Sequence, residues 1–137
     1  MTRAGPAPFS LSLRIYWEDT DAAGIVFYAN YLKFFERART EWLRGLGFGQ
    51  EALRRGAGIA FVVSETNVRY RRPARLDDVI DVSVAVVHLG QASLEIAQEA
   101  RRAGELLADG TIRIGCVELG TFRPCRIPND IRLALHR

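Results

Sequence analysis

The chain has 137 residues, 48% of them apolar and 26% charged, with a formal net charge of +3. That length suits one domain with a real core, and residues 1–137 read as a single unit. No apolar run reaches transmembrane length and MTRAGPAPFS lacks the apolar segment of a secretory signal, so a cytoplasmic chain without integral membrane association is expected.

The first element is a strand at 10–17, SLSLRIYW, where Leu11, Leu13, Ile15 and Trp17 alternate with Ser10, Ser12, Arg14 and Tyr16. It ends at an acidic turn, EDTDAAG. From about Ala29 to Leu46 the period becomes helical. Tyr31, Phe34, Phe35, Ala38, Trp42 and Leu46 form an apolar stripe, with Lys33, Glu36, Arg37, Arg39, Glu41 and Arg44 on the opposite side. Asn30 is the expected N-cap, and Gly45 and Gly47 end the helix. A short helical piece is expected over Gln50 to Arg55, stopped by Gly56.

Strands follow at Ile59–Tyr70, Val79–Leu89, Ala92–Arg102 and Leu106–Leu119, with Pro73 breaking the first of them. Their 10- to 13-residue spacing without intervening helices predicts an antiparallel meander. One last helical turn is expected near Asn129 to Leu135. The order is α+β: a strand, one long helix of roughly 25 Å, then four strands. A single helix covers one sheet face and leaves edges to be paired, so dimerisation through an edge strand is expected.

Three carboxylates, Glu18, Asp19 and Asp21, fall within four positions. An acidic cap is the plain reading, but Asp21 lies well ahead of the helical period. A calcium loop fails because Ala23 cannot ligate, Asn30 stands where a bidentate Glu is needed, and no helix precedes it. On the residues alone a capping turn and a catalytic carboxylate both stay open. Glu18 and Asp19 are candidates for a second catalytic carboxylate or are solvated. Glu36 is an outside candidate, and Glu41 is expected to pair with Arg37 or Arg44.

All basic residues except Lys33 are arginines, densest at Arg69, Arg71, Arg72 and Arg75. Arginines bind phosphates bidentately, but they also stay solvated or pair with acids such as Asp77 and Asp78. No nucleic-acid-reading motif is present, nor a phosphate-cradling Gly-rich loop or a G-x-S-x-G elbow. His88 and His136 are isolated. Cys116 and Cys125 lack metal-ligand spacing and are read as reduced thiols, so no metal is expected.

YWEDTDAAGIVFYANYLKFFERARTEWL at 16–43, AFVVSETNVRYRRPARLDD at 60–78 and PCRIPND at 124–130 resemble acyl-CoA thioesterases of the 4-hydroxybenzoyl-CoA thioesterase group. The likeness is greatest to their YbgC-like, Tol–Pal-associated branch. It implies a hotdog fold, an antiparallel sheet of about five strands wrapped around one long central helix. It also implies hydrolysis of acyl-CoA or acyl-carrier-protein thioesters by a homodimer or homotetramer, with no cofactor beyond the coenzyme A of the substrate.

By the same resemblance Asp21 is the catalytic carboxylate, acting as general base or nucleophile. Backbone N–H groups at the helix start, at Tyr28 or its neighbours, would hold the oxyanion. Val62, Val63 and Ser64 would complete the site from the partner subunit, and Arg69, Arg71 and Arg72 would meet the phosphates of coenzyme A. The branch's V-Y-H-A-x-Y reads Val26-Phe27-Tyr28-Ala29-Asn30-Tyr31 here, so Tyr28 stands where a His assists the Asp. Trp17 likewise replaces a Tyr common in the branch. A non-catalytic acyl-CoA sensor on the same scaffold is the alternative.

Overall fold

The computed structural model describes residues 9–136; most of the MTRAGPAPFS segment read for a secretory signal lies outside them. In chain order the elements are β1 (Phe9–Arg14), α1 (Asn30–Gly45), α2 (Gln50–Gly56), β2 (Ile59–Tyr70), β3 (Val79–Leu89), β4 (Ser93–Arg102), β5 (Glu105–Glu118) and α3 (Asn129–Leu135). Every element expected from periodicity is present. The largest shift is at the first strand, which ends at Arg14 instead of running to Trp17.

The reason for that early end is local. Ile15 keeps the alternation and is fully buried, bonded through its N–H to Asp78 O at 2.8 Å and through its O to Asp77 N at 2.9 Å. The next residues turn away as a 3-10 turn over Trp17–Asp19. Asp19 closes it: its Oδ2 accepts the Tyr16 N–H at 2.8 Å, and its own N–H reaches Tyr16 O at 3.0 Å. Asp19 is therefore a structural cap, and Trp17 is left 80% exposed.

The five strands form one antiparallel sheet in the order β1-β3-β4-β5-β2. Strands consecutive in sequence, β1 and β2, thus lie at opposite edges, and the segment joining them crosses one sheet face. Alternation aims β3 and β4 at that segment: Ile80, Val82, Val84, Leu94, Ile96 and Ala100 are buried. Against them α1 buries Tyr31, Phe34, Phe35, Ala38 and Leu43. Each large apolar side chain so enclosed contributes about 1.5–3 kcal/mol.

Two stripe positions differ from the sequence expectation. Leu46 is 38% exposed, and Arg39, assigned to the polar side, is 9% exposed. The buried arc of α1 follows the 35–39–43 row, so Leu43 takes the place expected for Leu46. Arg39 is accommodated by Gln98 of β4, which is fully buried. Gln98 Oε1 accepts from Arg39 Nη1 at 2.8 Å, and its Nε2 donates to Phe35 O at 3.1 Å and Ser83 O at 3.2 Å. One amide therefore ties α1 to both β3 and β4.

Gly110 of β5 marks a close approach: a Cβ there would sit 2.6 Å from Asn67 O and 3.0 Å from Val68 Cγ2 of β2. Because one of those atoms is backbone, relief requires the strands to part. Gly110→Ala is expected to lower stability by about 1–3 kcal/mol. Denaturant titration checks this, and an unchanged midpoint would contradict it.

Candidate active site

Residues 20–27 form a tight loop pinned by main-chain bonds. Thr20 bridges Val26, and Ile25 bridges Arg75. Asp21 N–H reaches Ile25 O and Gly24 N–H reaches Asp21 O, both at 2.9 Å, while Val26 N–H reaches Ala74 O at 2.8 Å. Gly24 turns the chain with φ +80°, a region that an L side chain enters only with strain. The loop is thus fastened to itself and to the segment before β3.

Asp21 sits exposed at the start of this loop. Its Oδ1 accepts the Ala23 N–H at 2.9 Å in an Asx turn. Among the described residues Oδ2 has no hydrogen-bond or ion-pair partner, so one carboxylate oxygen is held and the other is open.

Asn30 is not the expected cap. The N-cap of α1 is Ala29, with no side-chain cap bond; Asn30 instead donates Nδ2–H to Asp19 O at 2.9 Å, which also accepts Phe27 N–H at 3.0 Å. The amide is used to hold the loop and not the helix end. The N–H groups of Asn30, Tyr31 and Leu32 are occupied by Phe27, Tyr28 and Ala29 carbonyls. Those of Tyr28 and Ala29 have no acceptor among the described residues, leaving two donors at the positive end of α1.

Tyr28 is 61% exposed. Its ring packs on Phe27, 5.0 Å between centroids, and edge-on against Tyr70, 5.8 Å away; Tyr70 in turn lies 5.6 Å from Tyr31. Burial, followed by the neighbouring Tyr28, raises the Tyr70 hydroxyl pKa. The buried Tyr31 hydroxyl is likewise raised, by burial first, with the nearby Ala74 backbone opposing; it has no hydrogen-bond partner among the described residues. Sequence reasoning missed Tyr70 as a neighbour of Tyr28, because nothing local links two positions so far apart in the chain.

The other expected residues are dispersed. Ser64 is the extra residue of a β-bulge between Val63 and Glu65, with Oγ near Arg113 O at 3.4 Å. Val62 and Val63 are 36% and 49% exposed. They lie eight and seven residues from Tyr70 along β2, about 25 Å, so one chain does not bring them to Tyr28. Arg71 pairs with Asp109 at 2.6 Å and Arg72 with Glu105 at 3.1 Å, while Asp78 pairs with Arg102 at 2.6 Å. Asp77 and Asp78 are therefore not the partners of Arg71 and Arg72. Arg69 is exposed and makes no ion pair among the described residues. Glu41 pairs with Arg44, one of its two expected partners.

A cavity of about 390 Å³ opens between α1 and the inner face of β2, β4 and β5. Phe35, Phe61, Ile96 and Ile112 wall it, and Val62 and Val63 border it; its polar lining is Glu36, Arg39, Gln50 and Thr66. Asp21 and Tyr28 are not in its wall. The wall begins at Leu32, in the first turn of α1 and four residues after Tyr28.

Cys116 and Cys125 are free thiols with their Sγ atoms 3.6 Å apart. Burial and the adjacent thiol push Cys116 up to about 12. Among the described residues no cluster of three or more His, Cys, Asp and Glu could hold a metal ion, and no helix is long and apolar enough to cross a membrane.

The thioesterase-like superfamily model matches residues 15–135. The acyl-CoA thioesterase YbgC of Haemophilus influenzae is 41% identical over 128 residues, covering 93% of this chain and 94% of that protein. The acyl-CoA thioester hydrolase YbgC of Escherichia coli O6:H1 is 39% identical over 124 residues, 90% of this chain and 92% of that one. The solved structure of the gentisyl-coenzyme A thioesterase BH1999 superposes with a TM-score of 0.85 at 28% identity, over 92% of this chain and 98% of that one. The chain belongs to the thioesterase-like superfamily, as a hotdog-fold acyl-CoA thioester hydrolase of the YbgC-like branch.

Proposed function

We propose that Asp21 is the carboxylate that drives thioester hydrolysis and that the N–H groups of Tyr28 and Ala29 receive the oxyanion. One observation carries this reading: an open carboxylate oxygen on a pinned loop lies seven residues before two unclaimed donors at a helix head. The thioester carbonyl oxygen accepts from those donors, whose preorganisation stabilises the charge that develops on it. In the general-base route Asp21 takes a proton from water, the hydroxide adds to the carbonyl carbon, and the C–S bond breaks. The thiolate then leaves and is protonated. In the nucleophilic route an Asp21 oxygen adds to the carbonyl carbon, the C–S bond breaks to release the thiolate, which is protonated, and water then cleaves the resulting anhydride. A single turnover in ¹⁸O-water separates them: label enters Asp21 only by the second route.

Tyr28, at the head of the helix, is the residue that borders the thioester. Its ring, held by Phe27 and Tyr70, takes a position where a histidine would offer a base, so Asp21 acts without one. The reaction requires no cofactor and no metal, since coenzyme A arrives as part of the substrate. An acyl-carrier-protein thioester presents the same bond and is a second carrier of it. Arg69 and Arg75 are the arginines of the patch left to meet substrate phosphate, because Arg71 and Arg72 already hold carboxylates.

The working form is a dimer in the cytoplasm, paired through β2. Among the described residues that strand bonds only β5, its residues 62–67 are exposed, and its outer edge is open over twelve residues. Antiparallel pairing of two such edges carries Val62, Val63 and Ser64 of each chain toward the Tyr70 end of the other, a distance one chain cannot close.

Asp21→Asn keeps the Oδ1 acceptor for Ala23 and hence the turn, and removes only the base. It is expected to reduce kcat by about a hundredfold or more with an unchanged melting curve; wild-type turnover would sink the assignment. Gly24→Ala forces an L residue to φ +80°, and should cost about 1–2 kcal/mol and lower kcat by displacing Asp21. Thermal melts and steady-state rates test it together. Val63→Asp sets like charges against one another at the paired edges, and sedimentation is expected to find monomers; an intact dimer would refute the β2 interface.

A further inference from the structure

We infer that the cavity beneath α1 receives an acyl group ending in a carboxylate, which Arg39 binds at its far end. This rests on the assignment of Asp21 and the α1 head as the catalytic centre, and names the substrate class for that same site.

Leu32, Glu36 and Arg39 lie on one side of α1 and line the cavity. Ala29, the N-cap, and Arg39 are about 15 Å apart along the axis. The Arg39 side chain leans back toward the N-terminus as helical side chains do, which shortens the gap. An acyl chain whose carbonyl meets the Tyr28 and Ala29 N–H groups would enter the cavity at Leu32 and pass Phe35 and the Glu36 carboxylate on its way to the guanidinium. The volume, about 390 Å³, is within the usual range of ligand sites.

Arg39 is the unusual group in that channel. It is 9% exposed, and its one acceptor among the described residues is the neutral Gln98 Oε1 at 2.8 Å. It forms no ion pair among them, and Glu36, a turn earlier, is exposed and lies beyond ion-pair distance. Burial lowers the Arg39 pKa, and the Glu36 carboxylate on the same cavity wall opposes that shift without forming an ion pair among the described residues. The planar fork of a guanidinium still has donors open to the cavity, and its geometric complement is a carboxylate. A methyl-ended chain placed there would bury the cation further and give it no acceptor.

The test compares suberoyl-CoA with octanoyl-CoA, equal in chain length and different only at the far end. The readout is thiol release by the wild-type enzyme and by Arg39→Met. The wild type is expected to favour suberoyl-CoA by about tenfold or more in kcat/KM, and Arg39→Met to bring the two to parity. Should Arg39→Met fail to fold, the wild-type ratio decides, together with calorimetric binding of free suberate against octanoate, where suberate should bind more tightly. Octanoyl-CoA hydrolysed as well as or better than suberoyl-CoA overturns the inference and leaves the Asp21 mechanism standing. A preference that survives in Arg39→Met overturns it too. Loss of both substrates in Asp21→Asn alone keeps the two claims separable, and no hydrolysis of either by the wild type removes both.

Discussion

The fold turns on one constraint: β1 and β2 follow one another in sequence yet lie at opposite edges of the sheet. Residues 15–58 must therefore cross a sheet face, and that crossing determines where α1 can be. A 16-residue helix is about 24 Å long, more than the roughly 19 Å width of five strands. α1 packs on β1 and β3, and α2 on β2. Between them the inner face of β4 and β5 is left partly uncovered, and the cavity lies there. The same crossing places the head of α1 beside the loop that leaves β1, and the contacts of Ile25 and Val26 with Arg75 and Ala74 hold the acidic turn there.

At that junction capping and the proposed chemistry compete for the same groups. An asparagine at the start of α1 would ordinarily satisfy an orphan N–H. Asn30 holds Asp19 O instead, a bond that steadies the loop bearing Asp21. The helix end keeps two unclaimed donors. A helix optimised for stability would fill them, at a gain of about 1 kcal/mol; an oxyanion needs them empty until the carbonyl arrives.

The second departure from a purely stabilising design is Arg39. A buried cation whose only partner among the described residues is a neutral amide is costly, and Gln98 offsets part of that cost while holding Phe35 O and Ser83 O. Removing that one amide would leave three groups without it, which is why a fully buried glutamine sits in the middle of β4. The cost falls on a residue that lines the cavity, and it is there that an anionic ligand gains most.

The sequence alone carried the order and type of the elements, because period two and period 3.6 are local properties: Leu94, Ile96 and Ala100 alternate, and Tyr31, Phe34, Phe35 and Ala38 recur by turns. It also carried the family, since the run from Tyr16 to Leu43 is specific, and with it the hydrolytic activity. It misassigned Arg39 and Leu46 because a helical wheel gives a buried arc only to within a residue or two, and the neighbour that decides the matter, Gln98, is 59 positions away. The partners of Arg71 and Arg72, the contact of Tyr28 with Tyr70 and the true task of Asn30 were decided by tertiary structure for the same reason. Strand register, which no local pattern encodes, sets which charges and rings face each other.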